Sequence, residues 1–122
     1  MLKGSKTAEN LMKSFAGECQ ARTRYTYYSS IAKKEGYIQI ANIFMETAEQ
    51  EKEHAKIFLK FLKSEYNDEE IEIKASYPVA LHEETKNNLM KAADGENAEW
   101  TKDYPQFEKK KKKEGFNKIA MA

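Results

Sequence analysis

The chain has 122 residues, of which 40% are hydrophobic and 34% charged, a composition that excludes a disordered protein and suffices for one domain with a buried core. A net charge of +1, and no apolar run long enough to span a bilayer, argue against nucleic acid or a membrane as a partner. Cys19 is the only cysteine, which excludes an internal disulfide and a paired-cysteine metal site and favours a reducing, cytoplasmic location.

The first two predicted helices form a hairpin. Ser5 or Thr7 can cap the first helix, which is predicted over about residues 5–35. Gly36 ends it, because glycine readily takes the left-handed conformation that closes a helix. The second helix is predicted over 37–66, and the turn between the two is so short that they must run antiparallel.

A long crossover and a third helix follow. Residues 67–84 mix β-branched and polar residues and contain Pro78, so the helical pattern breaks there. The third helix is predicted over 85–114. Pro105 lies inside it and lacks a backbone N–H, so a kink is expected around Asp103–Tyr104.

The sequence repeats one helical corner. The stretch KKEGYIQIANI, residues 33–43, matches KKEGFNKIAMA, residues 112–122, at six of eleven positions. The offset of 79 residues aligns one helix–Gly–helix corner with another, which predicts two hairpins joined by a crossover, a four-helix bundle. The fold predicted is therefore all-α, with three long helices in this chain. The second arm of the second hairpin would lie beyond Ala122, and we expect a partner chain to fill the fourth position.

Polar groups interrupt the apolar face of the second helix. Residues at alternating steps of four and three share one side of that helix: Ile40, Phe44, Thr47, Glu51, His54, Phe58 and Phe61. Glu51 and His54 stand in the middle of this stripe, at the i, i+3 spacing that directs both side chains toward one point. Burying a carboxylate without a compensating cation is unfavourable, so the pattern indicates a ligand at this point.

The other two helices carry carboxylates on similar faces. Glu18 lies between Phe15 and Tyr25 on the first helix, and Glu96 and Glu99 share a face of the third. Each residue taken singly is more typical of a solvated side chain or a core residue with one hydrogen bond. Together, four carboxylates and an imidazole on the inward faces of three helices predict a metal centre. Oxygen-rich ligation with one imidazole favours iron or manganese, and zinc also fits.

Several motifs resemble a known family. FAGECQARTRYTYY, EGYIQIANIFMETAEQEKEHAKIFLKFL, GENAEWTKDYPQF and KKEGFNKIA are similar to the ferritin-like, di-iron domain of rubrerythrin, over essentially residues 1–122. Ferritin-like di-iron bundles use a Glu from each of two helices and Glu-x-x-His from each of the other two. The resemblance implies a non-haem di-iron cofactor held by these ligands: Glu18, Glu51, His54, Glu96 and Glu99.

The resemblance also implies roles for single residues. Glu51 would bridge the two irons, and Glu99 and His54 would exchange as ligands of one iron between oxidation states. Tyr25 and Tyr104 match tyrosines that hydrogen-bond the ligating carboxylates, although tyrosines at these positions are equally consistent with plain core packing. The implied activity is the reduction of hydrogen peroxide to water, with electrons from an external donor such as a rubredoxin.

Two departures from the family pattern leave alternatives open. The chain lacks the paired CxxC motifs of a rubredoxin-like tail, and the second Glu-x-x-His would fall beyond Ala122. We therefore expect a homo-oligomer, most simply a dimer with exchanged helices or a shared metal site. In one arrangement two first hairpins complete the site and displace Glu96 and Glu99; in the other, the third helix stays and the fourth comes from another polypeptide. Ferritin-like iron oxidation and a non-enzymatic oligomerising fragment are the alternative functions.

Overall fold

The computed structural model describes residues 3–100, and for residues 95–100 it describes the backbone only. Three helices occupy this part: α1 over Lys6–Lys34, α2 over Ile38–Tyr66 and α3 over Thr85–Trp100. Residues 3–100 contain no strand, and the predicted all-α class is confirmed over this part of the chain. The predicted extension of the third helix to 114, the kink at Pro105 and the repeated corner all lie outside the described residues.

The start of α1 is fixed by its cap. Ser5 has an extended backbone, and its hydroxyl accepts a hydrogen bond from the N–H of Ala8 at 3.1 Å. Of the two predicted caps, Ser5 is the one that the structure uses. Glu9 lies in the first turn, where its negative charge is stabilised by the helix dipole, and it pairs with Lys13 at 3.4 Å.

The corner between α1 and α2 is closed by a left-handed glycine. Gly36 has φ of +90°, its N–H donates to Lys33 O at 3.1 Å, and the N–H of Tyr37 donates to Ala32 O at 2.8 Å. These two bonds are the pair that defines a Schellman motif. No atom lies within 4 Å of the position that a Cβ of residue 36 would take, so glycine is required there by backbone conformation and not by space.

Contacts at both ends hold α1 and α2 antiparallel. Near the corner, the hydroxyl of Ser29 donates to Ala41 O at 2.7 Å. At the far end, the N–H of Gly4 donates to the Tyr66 hydroxyl at 2.6 Å. The hairpin is therefore closed at both ends, and the middle of α1 lies beside the middle of α2.

The crossover between α2 and α3 lies against α1. Tyr77 donates its hydroxyl to Lys13 O at 2.9 Å, and Tyr28 donates its hydroxyl to Ala80 O at 2.5 Å. Further on, the side-chain amide of Asn88 exchanges two hydrogen bonds with the backbone of His82, each at 2.8 Å. Side chains thus supply the partners that the crossover backbone does not find in a strand or a helix.

The apolar core lies between the three helices on the corner side of their midpoints. Its buried members are Ala21, Tyr25, Tyr28, Phe44, Ala48 and Ala92, with Ile40, Ile43 and Leu89 packed against them. One member of the predicted stripe on α2 does not belong to the interior, because Phe61 is 61% exposed and Leu62 is buried instead. A straight helix drifts by about 20° per heptad from a strict seven-residue repeat. Three heptads after Ile40 that drift has carried Phe61 out of the interface.

Candidate metal centre

Three predicted ligands meet halfway along the hairpin. Glu18 lies near the middle of α1, and Glu51 and His54 lie near the middle of α2, one turn apart on the same face. Each of the three offers a donor atom, and these atoms all lie within 4.8 Å of one another. The predicted convergence of Glu18, Glu51 and His54 therefore occurs in the structure.

The three side chains differ in their exposure to solvent. Both glutamate residues are fully buried, whereas the side chain of His54 is 20% exposed. The Nδ1 atom of His54 lies 3.8 Å from Oε2 of Glu18, within ion-pair range and beyond hydrogen-bond range. The two carboxylates thus lie on the side of the site that is shielded from solvent, and the imidazole lies on the side that solvent partly reaches.

The donor set fits a metal ion of the kind that oxygen and imidazole ligands prefer. Two carboxylates and one imidazole are ligands that suit iron, manganese or zinc. Because the three donor atoms lie within 4.8 Å of one another, small side-chain rotations would let them bind one ion. A divalent ion would also compensate the two buried negative charges, which are costly to hold in a dry interior.

The only cysteine next to the site is poorly suited to join it. Cys19 follows Glu18 on α1 and is exposed. Partial desolvation, and to a lesser extent the negative charge of Glu18, raise the pKa of the Cys19 thiol, while Arg22 opposes this shift. Since the thiolate is the form that binds metals, a raised pKa disfavours Cys19 as a ligand at neutral pH.

Tyr25, which is predicted to hydrogen-bond a ligating carboxylate, has its ring in the aromatic core. Tyr25 is 2% exposed, and its ring centroid lies 5.8 Å from that of Tyr28 and 6.1 Å from that of Phe44. The ring therefore belongs to the aromatic cluster between the site and the corner. A hydrogen bond from Tyr25 to a ligating carboxylate stays a prediction.

The remaining predicted site residues are Glu96, Glu99 and Tyr104. The side chains of Glu96 and Glu99 and the whole of Tyr104 lie outside the described residues, although the α3 backbone extends over the two glutamates. The structure thus brings together three of the five predicted ligands. Sequence reasoning missed Glu35, whose contact with α3 joins residues 50 positions apart and leaves no local sequence signal.

Comparison with known proteins decides the family. The family model described as Rubrerythrin matches residues 9–122. The chain belongs to the rubrerythrin family. It is 63% identical over 121 residues to a rubrerythrin of Clostridium perfringens and 62% identical over 122 residues to rubrerythrin-1 of Clostridium acetobutylicum, each alignment covering 99% of this chain. A rubrerythrin of Porphyromonas gingivalis is 56% identical over 98% of the chain.

Membership in the rubrerythrin family supports the interpretation of the buried cluster as part of a ferritin-like, non-haem iron site. The chain spans 62%, 62% and 58% of the lengths of these three relatives.

Over the residues that the structure describes, no helix combines the length and apolarity needed to cross a membrane.

Proposed function

We propose that this protein is a di-iron peroxidase that reduces hydrogen peroxide to water with electrons from an external donor such as a rubredoxin. The observation that carries the proposal is the buried cluster of Glu18, Glu51 and His54, with donor atoms within 4.8 Å of one another, in a chain of the rubrerythrin family. The reaction takes two electrons and two protons per peroxide and yields two waters. If bound by these residues, a ferrous pair would supply the chemistry of this reduction, namely two electrons, one from each ion.

In this proposal the residues of the hairpin hold the metal ions. Glu18 and Glu51 would hold the metal pair with buried anionic oxygens, and Glu51 would be the carboxylate shared by both ions. Because both are fully buried in the middle of 29-residue helices, their positions are set by helix packing and not by a mobile loop. If the third helix keeps its place in the bundle, Glu96 and Glu99 would complete the ligand set, and Tyr25 and Tyr104 would hydrogen-bond the carboxylates.

His54 is proposed as the ligand that changes with oxidation state, in exchange with Glu99. Its partly exposed side chain supports this role, because an imidazole at the edge of the site has room to rotate. The same edge gives solvent protons a route to the imidazole.

The proposal includes a ferritin-like domain over residues 1–122 and a homo-oligomeric assembly. Either two first hairpins, one from each copy, would complete the site and displace Glu96 and Glu99, or the third helix would stay in its bundle and the fourth would come from another polypeptide. Replacing Glu96 and Glu99 by Gln separates the two arrangements. An unchanged iron content means that two hairpins suffice, and a reduced one means that α3 supplies ligands.

The function is tested by loading the full chain anaerobically with ferrous iron. We expect two irons per completed site, an absorbance band of an oxo-bridged di-ferric centre after oxidation, its bleaching by reductant and its return with peroxide. His54→Gln should impair this cycle. His82→Gln is the matched control, since His82 is the other histidine of the chain, is exposed and uses only its backbone to bond Asn88.

Two results would contradict the proposal. A colourless protein with less than one iron per dimer after loading would rule out the di-iron centre. A centre that forms and is reoxidised by oxygen as fast as by peroxide would instead favour ferritin-like iron oxidation.

A further inference from the structure

A carboxylate at the corner of the hairpin is bonded to the start of the third helix. Glu35 is the C-terminal cap of α1, and its Oε1 accepts hydrogen bonds from the backbone N–H of Thr85 at 2.6 Å and from the Thr85 hydroxyl at 2.7 Å. Thr85, the first residue of α3, is 1% exposed. One oxygen atom therefore joins the two helical units of the chain.

The electrostatics of this contact favour α3 over α1. A negative charge at a helix C-terminus is unfavourable, and one at a helix N-terminus is favourable, because of the helix dipole. Glu35 stands at the C-terminus of α1 and at the N-terminus of α3, where it satisfies a backbone N–H that has no partner within its own helix. Glu35 therefore stabilises the N-terminus of α3 and is unfavourable at the C-terminus of α1, the helix to which it belongs.

The contact lies on the inward face of α3. Among the side chains of α3 that the structure describes, the buried ones are Thr85, Asn88 and Ala92, separated by steps of three and four, and they define the face that the helix turns inward. On this face Thr85 is bonded to Glu35 of the hairpin, and Asn88 is bonded to the backbone of His82 in the crossover, so the first turn of α3 is anchored at two points. Continuing the steps by four and then three reaches positions 96 and 99 in the sequence.

We propose that Glu35 is a positioning residue for the metal centre. Its two bonds to Thr85 fix α3, the helix on which Glu96 and Glu99 lie, relative to the hairpin that carries Glu18 and Glu51. This inference rests on the proposed function, because it assigns Glu35 to the assembly of that same site.

The test measures the affinity of the full chain for cobalt(II), used as a spectroscopic probe in competition with a chelator. We expect Glu35→Ala to weaken binding by about tenfold or more, the loss typical of residues that orient metal ligands, and to alter the ligand-field spectrum. Glu35→Gln keeps an oxygen that can accept both bonds and should restore most of the affinity. Glu46→Ala, which removes an exposed carboxylate of α2, is the control and should bind as the parent chain does.

A double-mutant comparison separates positioning from general stability. In the Glu96→Gln, Glu99→Gln background, Glu35→Ala should have no further effect on cobalt affinity, since α3 no longer contributes ligands. If Glu35→Ala does not fold, Thr85→Val serves in its place, because it removes only the hydroxyl bond and keeps the side-chain shape.

Each contrary result has a distinct meaning. Unchanged affinity in Glu35→Ala, with the parent chain binding two ions per site, would overturn the positioning role and leave the proposed function intact. An equal loss in both backgrounds would also overturn it, since the effect would then come from stability alone. A parent chain that binds no metal would overturn the proposed function and this inference with it.

Discussion

The replacement Glu51→Gln should stabilise the metal-free protein and destabilise the metal-loaded one. Glu18 and Glu51 are both fully buried, with oxygens within 4.8 Å of each other. Two unit charges at that distance repel by about 3.5 kcal/mol at an effective dielectric constant of about 20. The nearby imidazole of His54 offsets part of this when protonated, so we expect the neutral amide to raise the free energy of unfolding of the metal-free chain by about 1–3 kcal/mol.

Metal reverses the order of stability. At a ferrous concentration of one thousand times the dissociation constant, the parent chain gains about 4.1 kcal/mol from binding, and Glu51→Gln should gain little. For a chain of this size 1 kcal/mol corresponds to a shift in melting temperature of about 4 °C. The metal-free variant should therefore melt about 4–12 °C above the metal-free parent, and the loaded parent should melt about 16 °C above the metal-free parent.

Thermal unfolding followed by circular dichroism, with and without anaerobic ferrous iron, measures all four melting temperatures. Glu49→Gln is the matched control, because Glu49 lies on the same helix with a side chain that is 57% exposed and pairs only weakly with Lys52 at 3.9 Å. Its melting temperature should change little in either condition. A metal-free Glu51→Gln that melts below the metal-free parent would refute the reasoning, since it would show that the buried carboxylate stabilises the fold without an ion.

Two further predictions concern the scaffold. Tyr28→Phe should lower the free energy of unfolding by about 1–3 kcal/mol, because it leaves the buried Ala80 carbonyl without its hydrogen-bond donor. Tyr27→Phe is the control and should change the free energy of unfolding little, since Tyr27 is 51% exposed. Chemical denaturation of both variants measures the difference. Gly36→Ala should lower the free energy of unfolding by about 1–2 kcal/mol, because residue 36 has φ of +90°. Gly17→Ala should raise it by up to about 1 kcal/mol, because Gly17 lies in a helix with ordinary van der Waals space for a Cβ. Changes of the same sign in both variants would contradict this backbone argument.

Local sequence patterns predicted the elements that local physics controls. Ser5, Gly36 and the helical periodicity locate the ends of α1 and the corner because caps and left-handed residues act within one turn. The i, i+3 spacing of Glu51 and His54 was sufficient to place two ligands together, since both lie on one rigid helix. The convergence with Glu18 followed from the antiparallel hairpin, which a short turn enforces.

Contacts between distant parts of the chain could not be predicted in this way. The bonds of Tyr28 to Ala80 and of Glu35 to Thr85 span 52 and 50 residues, and no spacing rule connects such pairs. The exposure of Phe61 was missed for a different reason. A strict seven-residue repeat describes a supercoiled helix, and the error of applying it to a straight one grows with each heptad.

The double closure of the hairpin has a consequence for the order of folding. The Schellman bonds at Gly36 and Tyr37 join residues three and five positions apart, so the corner can nucleate rapidly, whereas α3 docks through contacts some fifty residues apart. We expect α1 and α2 to pair first and to bring Glu18, Glu51 and His54 together before the third helix arrives. A metal ion present during refolding would then be captured early and act as a template on which α3 docks. Refolding with ferrous iron added at the start should accordingly complete the site faster than refolding followed by iron.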